Sequence, residues 1–191
     1  MKPACIAWVL CALLGACASA PKEPPKILMQ GFAIVPPAEK EWVVANRTAT
    51  VIVLGKAGRF SGQTLTLSAA IVELPPAASP AELVRHVESM QRKRLDSPRY
   101  KLFTLEASEY ALKGQACVIS RIEMAERTAT AGTASPVNMR VESLTLICPH
   151  PDKPSRGIDM TYSHRHFPED ADANFWQEAA VRVQSLAFEP L

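Results

Sequence analysis

The side chains with the most distinctive chemistry in this chain of 191 residues are its five cysteines and four histidines. Cys17 closes the run Leu14-Gly15-Ala16-Cys17, an aliphatic residue and two small ones before a thiol. Cys117 and Cys148 lie far apart and lack the Cys-x-x-Cys spacing of a redox pair, so they suit a structural bridge better than electron transfer. His164 and His166, at spacing two in a strictly alternating stretch, share one face of an extended strand with Ile158, Met160 and Tyr162. With His150 they could ligate a metal, or act as a base beside Ser163 or Asp159. No carboxylate or cysteine stands at matching spacing in the sequence, and Ser163 and Asp159 have the opposite strand parity. The expectation is that the strand leaves the core and its histidines cover the rim, with no metal, no cofactor and no catalytic set. A periplasmic hydrolase or metal-dependent enzyme using His164 and His166 is the alternative.

Three apparent motifs fail on chemistry. Gly55 to Gly62 is glycine-rich, but no Gly-Lys-Ser/Thr closes it and no helix follows, so it reads as a hairpin connection and not as a phosphate cradle. Asp170 to Asn174 begins like a calcium loop, yet its sixth position is Phe175 and its twelfth Val181, where Gly and Glu belong. Those acids are expected to cap the last helix and complement its dipole. Asn46-Arg47-Thr48 matches a glycosylation acceptor, a short pattern that by itself carries little information.

The elements around Cys17 give it a meaning. Lys2 supplies a positive end, residues 5–14 an apolar core, and Gly15 and Ala16 the small residues of a cleavage site. The apolar run is shorter than the roughly 20 residues a membrane span needs. Leu14-Gly15-Ala16-Cys17 resembles the lipobox of bacterial lipoproteins; Cys11 fits worse, because Trp8 stands where the aliphatic residue belongs. The resemblance implies that the Cys17 thiol takes a diacylglyceryl group, that residues 1–16 are removed, and that the new amino group is acylated. Each buried methylene contributes about 0.8 kcal/mol, so two or three chains hold a protein on a membrane where one lets it go. Ala18 and Ser19 lack the Asp that family uses for inner-membrane retention, which implies the periplasmic face of an outer membrane. Residues 17–30 then read as the lipidated cysteine and a proline-rich tether, and residues 31–191 as a single domain.

Composition narrows the partners. The formal charge is +2 including Lys2, so the mature chain offers no global footprint for nucleic acid. The expected partners are membrane lipid, through Cys17, and an envelope protein. A basic stretch carries Arg85, Arg92, Lys93, Arg94, Arg99 and Lys101; it suits a solvated face near a helix C-terminus and, as an alternative, contact with anionic lipid. Sixteen prolines against eight glycines indicate a loop-rich chain with stiffened turns.

Alternation and breakers place the elements. Residues 32–35 and 42–54 carry strand character, with a break at Asn46-Arg47, and residues 64–73 form a strand with Leu65, Leu67, Ala69 and Ile71 on one face. Ser79-Pro80-Ala81-Glu82 opens a helix whose apolar stripe is Leu83, Val84, Val87, Met90 and Leu95. Residues 102–112 form a strand turned by Lys113-Gly114. Residues 116–124 and 139–148 form a long antiparallel hairpin around the polar loop 127–136. With Cys117 opposite Cys148, Ile119 faces Leu146, Arg121 faces Leu144, and Glu123 faces Glu142 with Arg140 diagonal to it. In an oxidising envelope, two cysteines left after Cys17 is lipidated are expected to pair, so a Cys117–Cys148 disulfide is predicted. Phe175, Trp176, Ala179, Ala180, Val183 and Leu186 form the stripe of a last helix, and Ala187-Phe188 leads out of it.

Strands, a helix, a run of strands and a closing helix predict an α+β fold, an antiparallel sheet covered by helices. Gly31-Phe32-Ala33-Ile34-Val35-Pro36, Trp42, the Pro-Ala-Glu-Leu helix, and the run from Tyr162-Ser163 through Phe175-Trp176 to Leu186-Ala187-Phe188 resemble the PsbP and Mog-type α-β-α sandwich. That resemblance implies binding or assembly proteins without shared catalytic residues, so it transfers no site.

Overall fold

The computed structural model describes residues 25–60, 62–129 and 137–191; the signal segment, Cys17 and most of the tether lie outside the described residues. Seven strands, β3 (Val43–Arg47), β4 (Val51–Ala57), β5 (Thr64–Glu73), β6 (Tyr100–Leu112), β7 (Gln115–Ala129), β8 (Val137–His150) and β9 (Lys153–His166), form one antiparallel sheet in the order β3-β4-β5-β9-β8-β7-β6. A smaller sheet joins both ends of the described domain: β1 (Ile27–Met29), β2 (Phe32–Ile34) and β10 (Ala187–Phe188), in the order β1-β2-β10. Strand β1 thus lies within the stretch read as tether. Helix α1 (Pro80–Leu95) carries the chain from β5 across to β6, and a 3-10 turn (Pro168–Asp170) and helix α2 (Phe175–Gln184) follow β9.

The expected α+β, α-β-α sandwich with a helix-covered sheet is corrected. The described residues are mostly strand, a β-rich sandwich in which the small sheet and α2 lie over one face of the large sheet and α1 over the other. The physical reason is width. A helix with its side chains is about 10–12 Å across and covers little more than two strands at roughly 4.8 Å spacing, so one helix per face leaves most of a seven-stranded sheet uncovered. Strands β6 to β9 also run longer than the usual five or six residues, and the two-residue turn at Lys113-Gly114 lets β6 continue directly into β7.

Local chemistry explains these elements. Lys113 and Gly114 have φ of 50° and 83°, the left-handed pair of a two-residue hairpin turn, and Leu112 pairs with Gln115 across it. Ser79 caps α1 by accepting from the Glu82 amide at 3.2 Å, while Glu82 reaches back to the Ala78 amide at 2.6 Å. The expected break at Asn46-Arg47 falls slightly later, where Thr48 Oγ1 accepts from the Thr50 and Val51 amides and turns β3 into β4. The β7–β8 register is the predicted one: Ile119 opposite Leu146, Arg121 opposite Leu144, Glu123 opposite Glu142.

Alternation divides the sheet into two faces. Leu67, Leu146, Met160 and Tyr162 point toward Phe32, Ile34, Phe175 and Val183 in the main core, and Val118 and Ile147 pack on the opposite face against Leu83 and Val87 of α1. Tyr162 is fully buried, stacks on Phe175 and donates from its hydroxyl to Glu178 Oε1 at 2.9 Å, which fixes α2 on β9. Burial, reinforced by the Glu178 carboxylate, raises the Tyr162 pKa and keeps the phenol protonated.

Candidate functional site

One row of side chains crosses the sheet where β9 ends. Glu123 on β7 is opposite Glu142 on β8, Glu142 is opposite His164 on β9, and in the next row Arg140 is opposite His166. Two residues of β8 and two of β9 therefore share the face that α2 covers. The histidines do not sit at the rim as expected. His164 is 8% exposed and His166 2%, because the 3-10 turn and the start of α2 fold back over the strand end and bring Phe175 to 5.9 Å from the His164 ring. The sequence presents that covering segment only as the approach to a helix.

The two imidazoles stack at 4.5 Å between centroids, and one ligand atom from each of Glu142, His164 and His166 lies within 4.8 Å of the other two. His166 Nδ1 donates to the Phe167 carbonyl at 2.6 Å, which turns Nε2 toward Glu142 Oε2 at 3.3 Å. Glu142 Oε2, His164 Nδ1 and His166 Nε2 are buried and find no hydrogen-bond partner among the described residues. Burial pushes the Glu142 carboxyl up; His166 draws it back, and the negative charge of Glu123 pushes it up again. Burial, then the neighbouring His166, pushes the His164 imidazole down. Two arginines stand beside this row: Arg121 bonds Glu123, a member of the row, at 3.0 Å and stacks over Trp176, and Arg140 lies 4.1 Å over the Phe103 ring. The missing carboxylate of the sequence reading is thus Glu142, supplied by the neighbouring strand.

The remaining candidates go to different places. Cys117 and Cys148 are disulfide-bonded with Cα atoms 4.3 Å apart, the spacing of a directly opposed, non-hydrogen-bonded pair. Cys17 lies outside the described residues. His150 belongs to the other end of the sheet, about 26 Å along β8 from Glu142 at 3.3 Å per residue. It is fully buried, its Nδ1 accepts from the Asp152 amide, and its Nε2 donates to the Gly31 and Glu189 carbonyls at 3.1 and 2.9 Å. Ser163 and Asp159 stay on the face opposite His164 and His166, and Asp159 accepts from Arg94 at 2.9 Å and from Thr161 at 3.1 Å.

The basic stretch is largely bound into the fold. Arg92 pairs with Glu88, Arg94 with Asp159, and Arg99 with Glu126, which also accepts from Arg165. The glycine-rich connection is a turn, as expected, and ends on the buried Gln63, whose Nε2 donates to Asp170 Oδ2 at 2.7 Å. Asp170 therefore anchors the covering segment instead of capping α2, and the cap residue of that helix, Asn174, makes no side-chain cap bond. Asp172 accepts from the Asn174 amide at 2.8 Å.

A cleft of about 600 Å³ lies beside the start of α1 and is lined by Pro75, Pro76, Pro80, Leu83 and Pro149, with no acid or base in its walls. Two smaller clefts border the histidines. One of about 510 Å³ includes His164, Asp170 and Asp172, and one of about 220 Å³ includes Glu142, His166 and Pro168; Ala171 lines both. Glu142, His164 and His166 line these two clefts and not the one beside α1. No protein-family profile and no curated protein sequence matches the chain. Among solved structures it is similar to the solution structure of the cyanobacterial PsbP protein CyanoP from Synechocystis sp. PCC 6803, at 14% identity and a TM-score of 0.49, over 92% of this chain and 99% of that one. A likeness at that level bears on neither ligand nor activity.

Proposed function

We propose that the chain is a membrane-anchored envelope lipoprotein whose folded domain is a non-catalytic binding or assembly module. The observation that carries this reading is Leu14-Gly15-Ala16-Cys17 behind a short apolar core, with a proline-rich spacer after it. The lipid anchor would be Cys17, the location the periplasmic face of an outer membrane, and the partner an envelope protein met at the membrane surface. A non-catalytic role is supported by the placement of Ser163 and Asp159, which face away from the histidines and are engaged in the sheet and in the Arg94 ion pair. No nucleophile, base and orienting carboxylate converge among the described residues.

The test compares the full chain with Cys17→Ser in a Gram-negative host. The native chain partitions with membranes, incorporates a palmitate analogue and cross-links to a defined membrane-associated protein; Cys17→Ser loses the label and leaves the membrane fraction. Membrane partition and labelling unaffected by Cys17→Ser would contradict the anchoring. Recovery of no partner with either form would contradict the binding role.

A further inference from the structure

We propose that Glu142, His164 and His166 hold one divalent transition-metal cation, zinc or a close neighbour in the first row, through two imidazole nitrogens and one carboxylate oxygen. Backbone pairing sets the arrangement. The antiparallel register puts Glu142 opposite His164, strand alternation puts His166 on the same face, and the stacked rings lie 4.5 Å apart. The separation of His166 Nε2 from Glu142 Oε2, 3.3 Å, is about the edge of a tetrahedron with metal–ligand bonds of roughly 2.0–2.1 Å. One ligand atom of His164 lies within 4.8 Å of both others, and because the two rings are stacked the set closes by a turn of the His164 ring that brings this atom up to about 1.5 Å nearer.

Three independent features point to a cation. Buried polar atoms are normally satisfied, yet Glu142 Oε2, His164 Nδ1 and His166 Nε2 make no hydrogen bond among the described residues beyond the 3.3 Å ion-pair contact of His166 Nε2 with Glu142 Oε2, and both histidines are more than nine-tenths buried. A carboxylate directly opposite another is unfavourable across a sheet; Glu142 faces Glu123, which Arg121 pairs at 3.0 Å, while Arg140 lies over the Phe103 ring. Asp170 and Asp172 add negative charge from the segment above, at the cleft that His164 borders. The orientation of His166 is that of a metal ligand, since the bond from Nδ1 to the Phe167 carbonyl leaves the Nε2 lone pair aimed at the carboxylate. Two nitrogens and one oxygen suit zinc, copper, nickel or iron; calcium and magnesium, which take six or more oxygen donors, are poorly served. Glu142 and His166 border a cleft that Arg140, Pro168 and Ala171 also line, from which water or a partner's side chain would complete the shell.

Equilibrium dialysis of the chelator-treated full chain in detergent against Zn²⁺ alone tests this. The expected result is one equivalent per chain, with binding weakened at least about 100-fold in Glu142→Gln and in His166→Gln and unchanged in His86→Gln. Because a buried substitution can unfold the domain, Co²⁺ titration of the unsubstituted chain supplies a second readout. It is expected to give four-coordinate visible bands and to perturb the ring resonances of His164 and His166 while leaving those of His86 and His150. Binding of less than one equivalent by the unsubstituted chain, undiminished binding by folded Glu142→Gln, or Co²⁺ effects at His86 or His150 instead would each overturn the proposal.

Discussion

Glu126 shows how a single carboxylate ties distant segments together. Its side chain is 4% exposed and accepts from Arg99 just before β6 and from Arg165 near the end of β9. Burial pushes its pKa up, but hydrogen bonds and charge from Arg99 and Arg165 outweigh burial and hold it below the ordinary carboxylate range. A carboxyl whose folded pKa lies below its unfolded value, about 4.3, stabilises the fold above that pH. The contribution is lost as pH falls through the folded pKa. Urea unfolding of the native chain and Glu126→Gln at pH 7 and at pH 3 tests this: the native chain is expected to lose more stability on acidification than the variant. Parallel losses would show that the pair is not linked to folding. At this scale the sequence shows residue types and faces but not covers. The shared face of His164 and His166 follows from alternation, and Glu123 opposite Glu142 follows from the hairpin register. Burial of the histidines depends on a turn that folds over them, and their approach to Glu142 on the β8–β9 pairing, which the hairpin register alone does not supply.

At the scale of elements, the β7–β8 hairpin is the part most legible in advance. Its two cysteines have compatible parity, and one assumption about their pairing sets the opposed residues from Val118 to Glu126. The Cys117–Cys148 bond joins positions 31 apart. In the loop-entropy account a link of that span stabilises a fold by about 3–4 kcal/mol. Cys117→Ala/Cys148→Ala is expected to lower unfolding free energy by about that amount in urea titration; a change below about 1 kcal/mol would mean that packing alone sets the hairpin. Fold class was harder to read. A ten-residue helix and a two-residue strand leave short signals, while the length of β6 to β9 becomes apparent only once their charged residues are recognised as the outward side of strands.

Over the whole molecule, the described domain is closed by its own ends. Gly31, at φ 83°, lets the β1–β2 turn pass beneath Leu191, and its amide and carbonyl bond Pro190 and Glu189. His150 clamps the same point by donating to the Gly31 and Glu189 carbonyls. His150→Ala is expected to destabilise the fold by about 1–3 kcal/mol, since it leaves buried carbonyls short of a donor, and to raise hydrogen exchange in β1, β2 and β10 before the large sheet. Uniform exchange across both sheets would contradict the clamp. These joined ends place the described start of the chain at a fixed point on the domain, directly behind the segment that carries Cys17.

The measurement that reaches the central claim most directly is the intact mass and N-terminal sequence of the full chain after expression in a Gram-negative host. The account predicts a mature protein that begins at Cys17 and carries a diacylglyceryl thioether and an acylated amine. A chain that retains residues 1–16, or one cut elsewhere with the Cys17 thiol free, would contradict it.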